Sequence, residues 1–381
     1  MFYFPKKYVF FLLVIGCSLV SCKKDTDPTP SPNPTNPTGP VIEDLSDILY
    51  RPTAAAIARP ANFPIMEIPA DNPLTEEGIA LGRRLFFDPI LSSNKEMACA
   101  SCHLPADGFT DNLAISKGVD GIAGTRSSMA LFNTGYYTKG LFWDGRITSL
   151  EEQALLPVED PIEFNHSWEE VTEELSQHDL YPTLFRQAFG IEKSNEITKE
   201  LAVKAIAQFE RTIISGDSKY DKVIRGDEFF EDEELNGWSI FFDVGGGLPD
   251  AECGHCHNAP LFTVNDYFNN GLDSVADLNS FKDLGLGAIT NKIFDNGKFR
   301  APTLRNIALT APYMHDGRFQ TLEEVIDHYN EGVHYADNVD PLLLKAGGLG
   351  LSEQNKKDLL AFLHTLTDTT FVNDPAYQSP F

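Results

Sequence analysis

Two short motifs carry the clearest chemistry in the chain: Cys99-Ala100-Ser101-Cys102-His103 and Cys253-Gly254-His255-Cys256-His257. Both read Cys-x-x-Cys-His. Two thiols at that spacing can form thioethers to the two vinyl groups of one haem, and the adjacent imidazole then reaches the iron from the proximal side. Close cysteine pairs also bind zinc or cycle as redox dithiols. The full five-residue motif occurs twice, each time after a similar helix-like segment, which favours haem. The chain is therefore expected to carry two c-type haems with His103 and His257 as axial ligands. Covalent haem does not name a function. An iron ligated on both faces passes electrons, whereas one with an open face can bind peroxide or oxygen, so the sixth ligand decides.

The elements that position these motifs repeat. Gly82-Arg-Arg-Leu85-Phe86-Phe87-Asp88 precedes Cys99, and Gly237-Trp-Ser-Ile240-Phe241-Phe242-Asp243 precedes Cys253. Glycine, aliphatic, Phe-Phe and Asp hold the same offsets, and the Asp-to-Cys spacing is 11 in one copy and 10 in the other. A duplicated domain is the natural source of such an echo. The pattern elsewhere is mainly α with long loops. Thr198 can cap a helix whose apolar face is Leu201, Ala205, Phe209 and Ile213. Ser149 with Glu152, Ser167 with Glu170, and Thr321 with Glu324 have capping-box spacing, and Ser352 opens a last helix carrying Leu359, Phe362, Leu363 and Leu366. Alternating runs are few, so strands are expected to be short and rare, with loops such as 264–299 between helices.

The N-terminus reads as an address. Lys6 and Lys7 precede an apolar run from Tyr8 to Val20, too short to span a bilayer comfortably. It ends in Leu19-Val20-Ser21-Cys22, which resembles a bacterial lipobox. Residues 1–21 are thus expected to be a lipoprotein signal peptide, with Cys22 lipidated. Cys17 after Val14-Ile15-Gly16 is a weaker match, and an ordinary signal peptide is the plainer alternative. Residues 22–41, rich in Pro and Thr, form no core and read as a tether. The expected location is the cell envelope, lipid-anchored and facing the periplasm, outside the reducing cytosol.

Of 381 residues, 30 are Lys or Arg and 56 Asp or Glu, a formal charge of −26. Phosphate backbones would be repelled, which excludes nucleic acid and favours a basic partner. Hydrophobic residues are 42% and aromatics 11%, enough for a real core.

Beyond the haem motifs, the chain resembles the bacterial di-haem cytochrome c peroxidases and the related MauG enzymes over roughly residues 70–370. The resemblance rests on Leu81-Gly82 through Asp88-Pro89, both haem motifs, Phe142-Trp143-Asp144-Gly145-Arg146, Ala301-Pro302-Thr303-Leu304-Arg305-Asn306 and Ala311-Pro312-Tyr313-Met314-His315-Asp316-Gly317. It implies two cytochrome-c-like domains, here 42–215 (peroxidatic) and 216–381 (electron transfer), and one calcium ion near their interface. By position, Trp143 is similar to the tryptophan between the haems. Gln153 and Glu163 follow it at the ten-residue steps of the family's distal pair. A carboxylate over the iron can act as base and then acid, and an amide can orient peroxide. On composition alone Glu163 is one more surface acid and Trp143 a core aromatic; their motif contexts decide otherwise. Arg305 and His315 are expected around the second haem, His315 on a propionate. Thr310 and Pro312 match carbonyl donors to calcium, with Ser127 standing where the family has Asn.

Two departures stand out. Many relatives park a histidine on the distal face of the first haem, but 107–130 holds none, so a first haem open to peroxide without reductive activation is expected; His166 is a minor candidate. The second haem's usual distal Met falls on Tyr329, as in MauG, with Met314, read as packing, and His328 as alternatives. The leading expectation is reduction of hydrogen peroxide to water with electrons from a small cytochrome c or other periplasmic donor. A MauG-like oxidase of a protein or organic substrate, and a non-catalytic di-haem carrier, are the alternatives. The membrane is touched through the anchor only, and a second copy of the chain is a candidate partner.

Overall fold

A computed structural model describes residues 42–345 and 348–381. The expected signal segment with Cys17, the expected lipidation site Cys22 and the expected tether therefore lie outside the described residues. Helices α1 (Glu76–Phe87), α2 (Leu150–Glu159), α3 (Trp168–Gln177), α4 (Tyr181–Phe189) and α5 (Lys199–Thr212) build the first half. The second half contains α6 (Lys219–Arg225), α7 (Asp232–Phe242), α8 (Cys253–Cys256), α9 (Gly287–Thr290), α10 (Leu322–Asp327) and α11 (Glu353–His364). One two-stranded antiparallel ladder pairs β1 (Tyr267–Phe268) with β2 (Phe299–Arg300). Among the described residues no helix is long and apolar enough to cross a membrane.

The internal echo has a packing reason. Gly82 on α1 lies against α5 so closely that a Cβ would stand 1.8 Å from the Ala205 carbonyl oxygen. Gly237 on α7 does the same to α11, 2.0 Å from the Asp358 carbonyl oxygen. Both halves are thus helix pairs crossed at a glycine, with the following aliphatic and first Phe buried: Leu85 and Phe86, Ile240 and Phe241. Each fully buried Phe contributes on the order of 2 kcal/mol from the water it leaves. Separate cores form, Leu81, Leu85, Ala205 and Ile206 in one half and Ile240, Phe241, Phe362 and Leu366 in the other.

The predicted caps are in place at Ser149, Ser167, Thr198, Thr321 and Ser352. Of the three predicted boxes only Thr321–Glu324 is reciprocal. Glu152 reaches back to Thr148 instead, and Glu170 bonds the Ser167 hydroxyl. Helix α5 differs from its expected stripe. Ala202, Val203, Ala205, Ile206, Ala207, Gln208, Phe209, Glu210 and Arg211 are all buried, because α1 and α2 both pack on it.

The last residues cross over. Phe371 packs with Phe109 and Phe132, Tyr377 donates to the Thr212 carbonyl (2.7 Å), and Arg83 donates to the Gln378 carbonyl (2.8 Å). By packing, the tail expected within the second domain belongs to the first half, drawn there by its aromatic side chains. Asp368 fastens the crossing, accepting from the Ser215 hydroxyl and the amides of Gly216 and Asp217, where the two halves join.

Candidate active site

Each Cys-x-x-Cys-His motif is one tight turn opening onto a cavity. His103 N–H bonds the Cys99 carbonyl (3.0 Å) and His257 N–H the Cys253 carbonyl (2.9 Å). The imidazoles are fixed through Nδ1, which donates to the Phe109 carbonyl in His103 (3.0 Å) and to those of Pro302 (3.0 Å) and Phe262 (3.2 Å) in His257. That tautomer leaves Nε2 with its lone pair free, as a metal-ligating imidazole requires. Burial disfavours the imidazolium at both, lowering the pKa of His103 and bringing that of His257 down to about 4.

The thiols are not joined as disulfides. Burial pushes Cys102 up to about 11, Cys253 and Cys256 up to about 12, and Cys99 further still, the reverse of an activated redox dithiol. Among the described residues no group of three or more His, Cys, Asp and Glu side chains is placed to hold a metal ion, so neither pair has the further ligands of a zinc site. Two largely apolar cavities, about 410 Å³ beside His103 and about 220 Å³ beside His257, accept a covalently held haem each.

The first cavity gathers the expected catalytic residues. Gln153 sits on the second turn of α2, and its buried Oε1 has no hydrogen-bond partner. After α2 ends, Asp160 begins a tight turn: its carboxylate accepts from Ile162 N–H (3.0 Å) and its carbonyl from Glu163 N–H (3.0 Å). The turn brings Glu163 back to the cavity wall, which is why ten residues separate it from Gln153. Gly118 lies against this turn, and Val119 N–H donates to the Glu163 carbonyl (2.8 Å). Burial and the nearby Asp160 charge raise the Glu163 pKa to about 7, with Arg146 opposing.

Glu210 on α5 lines the same cavity, 3% exposed, with Oε2 unpartnered and its pKa raised by burial to about 8. Sequence reasoning missed it. The available signal was a carboxylate four residues after Ile206 on a buried helix face. His103 is the one histidine among the residues lining this cavity; His166 is instead held by Lys95, Glu170 and Glu174.

Trp143 lines both cavities, as does Tyr137. Its loop is pinned from both halves. The indole N–H donates to the Ser127 carbonyl (3.0 Å), and the Trp143 carbonyl accepts from Arg300 N–H (2.9 Å). Asp144 next to it holds Arg126 (2.6 Å) and Arg146 (3.1 Å), and Arg146 covers the Phe142 ring at 3.7 Å.

The second cavity is lined by His315, Tyr329 and Met314, together with Ser127, Thr310 and Pro312. His315 stacks on Phe299 with ring centres 3.6 Å apart. Arg305 lines neither cavity: its buried guanidinium is spent on Asp221 (2.8 Å, bidentate) and the Pro260 carbonyl. His328 is also turned away, its Nε2 donating to the Asn270 carbonyl (3.1 Å). Met314 is more than packing, since its sulfur accepts from Asn270 Nδ2 (3.4 Å). At the expected calcium position the Ser127 hydroxyl donates to the Met314 carbonyl (2.9 Å) and the Ser127 carbonyl accepts from the Trp143 indole (3.0 Å); among the described residues no group of three or more His, Cys, Asp and Glu side chains is placed to hold a metal ion.

The profile of a family described as di-haem cytochrome c peroxidase matches residues 76–229. A cytochrome-c peroxidase IdrP1 of Pseudomonas sp. (strain SCT) is 34% identical, the alignment covering 81% of this chain and 85% of that protein. Methylamine utilization protein MauG of Methylorubrum extorquens is 35% identical over 82% and 83%. The crystal structure of a MauG-like protein associated with microbial copper homeostasis superposes with a TM-score of 0.79 at 35% identity, covering 86% of this chain and 99% of that one. The chain belongs to the di-haem cytochrome c peroxidase and MauG family, and is a peroxidase-type oxidoreductase with two c-type haems.

Proposed function

We propose that the protein reduces hydrogen peroxide to water in the first cavity, using electrons delivered at the second. The observation that carries this is the pairing, on one cavity wall, of a buried carboxyl with pKa about 7 and a buried amide oxygen without a partner. When bound, the two haems supply the iron that peroxide meets and the redox centre that receives electrons. Glu163 takes the proton from one peroxide oxygen and returns it to the other as the O–O bond breaks, releasing the first water; two electrons from the second cavity and two protons from solvent convert the remaining oxygen into the second water. A group whose pKa lies near the working pH does both proton transfers. Gln153 Oε1 accepts a peroxide hydrogen and so orients the molecule without removing its proton. Trp143, which borders both cavities, carries electrons between them.

With His103 alone among histidines on the first cavity wall, the protein needs no reductive activation. The donor is a small, basic periplasmic cytochrome drawn to an acidic surface. The chain is held in the envelope by lipid on Cys22. One observation favours a second reading, a MauG-like oxidase: Tyr329 rather than a methionine takes the counted position in the second cavity. Glu163→Gln tests the main reading. It is expected to lower peroxide turnover 10²- to 10⁴-fold with both haem spectra retained; full turnover would remove Glu163 from the mechanism.

A further inference from the structure

Asn270, two residues beyond β1, joins two side chains of the second cavity that could ligate iron, Tyr329 and Met314. Its Nδ2 donates to the Tyr329 hydroxyl oxygen (3.2 Å) and to the Met314 sulfur (3.4 Å). The amide carries two hydrogens, one for each partner. Its own backbone is held by His328, whose Nε2 donates to the Asn270 carbonyl (3.1 Å). Asn270, Met314, Tyr329 and His257 all line this cavity.

Both donors arrive there on unusual backbone. Tyr329 lies in a π-helical turn, His328–Gly332, that continues α10. Such turns are rare and recur at functional sites. Met314 has φ 75°, a left-handed conformation unfavourable to a non-glycine residue that persists only where neighbours over-determine it. Here its carbonyl accepts from the Ser127 hydroxyl (2.9 Å) and from Gly317 N–H (3.2 Å). Two distortions thus converge on one amide.

The two donors differ in kind. A phenolic oxygen is hard and favours ferric iron; a thioether sulfur is soft and raises the potential. An N–H aimed at the oxygen stabilises the phenolate, its ligating form, whereas an N–H on the uncharged sulfur draws on one of its two electron pairs and holds the thioether in place beside the amide. We propose that Asn270 selects the sixth ligand of the second haem, holding the Tyr329 oxygen on the iron and restraining the Met314 sulfur as its rival. Asn270 is thus a positioning residue, and its role rests on Tyr329 facing that iron.

The test uses the purified di-haem protein, following the ferric absorption and electron paramagnetic resonance spectra of the second haem and its midpoint potential. Asn270→Leu removes the amide. Asn270→Asp is nearly isosteric, replaces the N–H donors with a carboxylate that only accepts, and keeps the ligand test valid by its spectra if the leucine variant loads haem poorly. Both are expected to exchange the oxygen-ligated ferric signature for a sulfur-ligated one, and the uncharged leucine variant is expected to shift the potential upward. Adding Met314→Leu to either is expected to abolish the sulfur signature. Wild-type spectra and potential in both Asn270 variants would overturn the proposal, and loss of the oxygen signature with no sulfur signature would overturn Met314 as the rival. Tyr329→Phe separates the two levels. If it leaves the ferric spectrum unchanged, Tyr329 is not a ligand; if it alters the spectrum while the Asn270 variants do not, only the role of Asn270 falls.

Discussion

Glu163 and Asp160 stand three residues apart in one turn, and their roles separate through environment. Asp160 spends its carboxylate on the Ile162 amide, while burial raises Glu163 to about 7. Its base form therefore exists above that pH and is lost below it. Peroxide reduction, read as kcat/KM, is expected to rise with pH to a plateau with an apparent pKa near 7, and Glu163→Gln is expected to flatten that limb. A wild-type profile flat from pH 5 to 8 would place proton handling elsewhere. The two Cys-x-x-Cys-His motifs were legible in the sequence because each is a run of five contiguous positions. Asn270 was not, since it lies 44 residues from Met314 and 59 from Tyr329 and meets them only on folding. Arg305 misled for the opposite reason. Its motif marks the neighbourhood of the second haem, but its guanidinium is consumed by Asp221.

At the scale of elements, the placement of Glu163 depends on a close approach of two loops. A Cβ on Gly118 would stand 2.2 Å from the Ile162 carbonyl oxygen and 2.4 Å from that of Glu163. These are backbone atoms, which yield only if the turn shifts. Gly118→Ala is expected to reduce kcat/KM for peroxide roughly 10- to 100-fold, the size of effect a displacement near 1 Å produces. Haem content and the second-haem spectrum should not change. Unaltered kinetics would show that the turn relaxes without moving Glu163. Cap residues and the doubled Gly…Phe-Phe-Asp segment made the helices legible, because each is a local signal. The burial of α5 on nearly every side was not, since it reflects two partner helices rather than the helix's own period. The π-helical turn at His328–Gly332 likewise breaks the regular spacing from which helical faces are read.

For the whole molecule, Asp368 is the fastening between halves. Burial alone would raise its pKa, but the Thr370 hydroxyl and the amides of Asp217, Phe371 and Gly216 outweigh burial and lower it. A depressed folded pKa stabilises above the unfolded value and loses that contribution as pH falls through the folded one. Asp368→Ala is expected to cost about 2–4 kcal/mol in denaturant unfolding at pH 7, since several buried donors lose a charged acceptor. The difference should narrow once pH falls below about 4; a gap independent of pH would mean the loss is packing alone. The duplicated segments lie in different hydrophobic clusters, Leu85 in one and Ile240 and Phe241 in another. The return of the tail onto the first half was hidden because Phe371 and Tyr377 look like any terminal aromatics until their partners are known.

The central claim, a first haem open to peroxide with Glu163 ready beside it, is tested most directly by mixing the as-isolated ferric protein with hydrogen peroxide and a reduced small cytochrome, and following donor oxidation from the first turnover. Immediate oxidation without prior reduction of the enzyme is the predicted result. A lag removed only by pre-reducing the protein, or no donor oxidation at all, would contradict it.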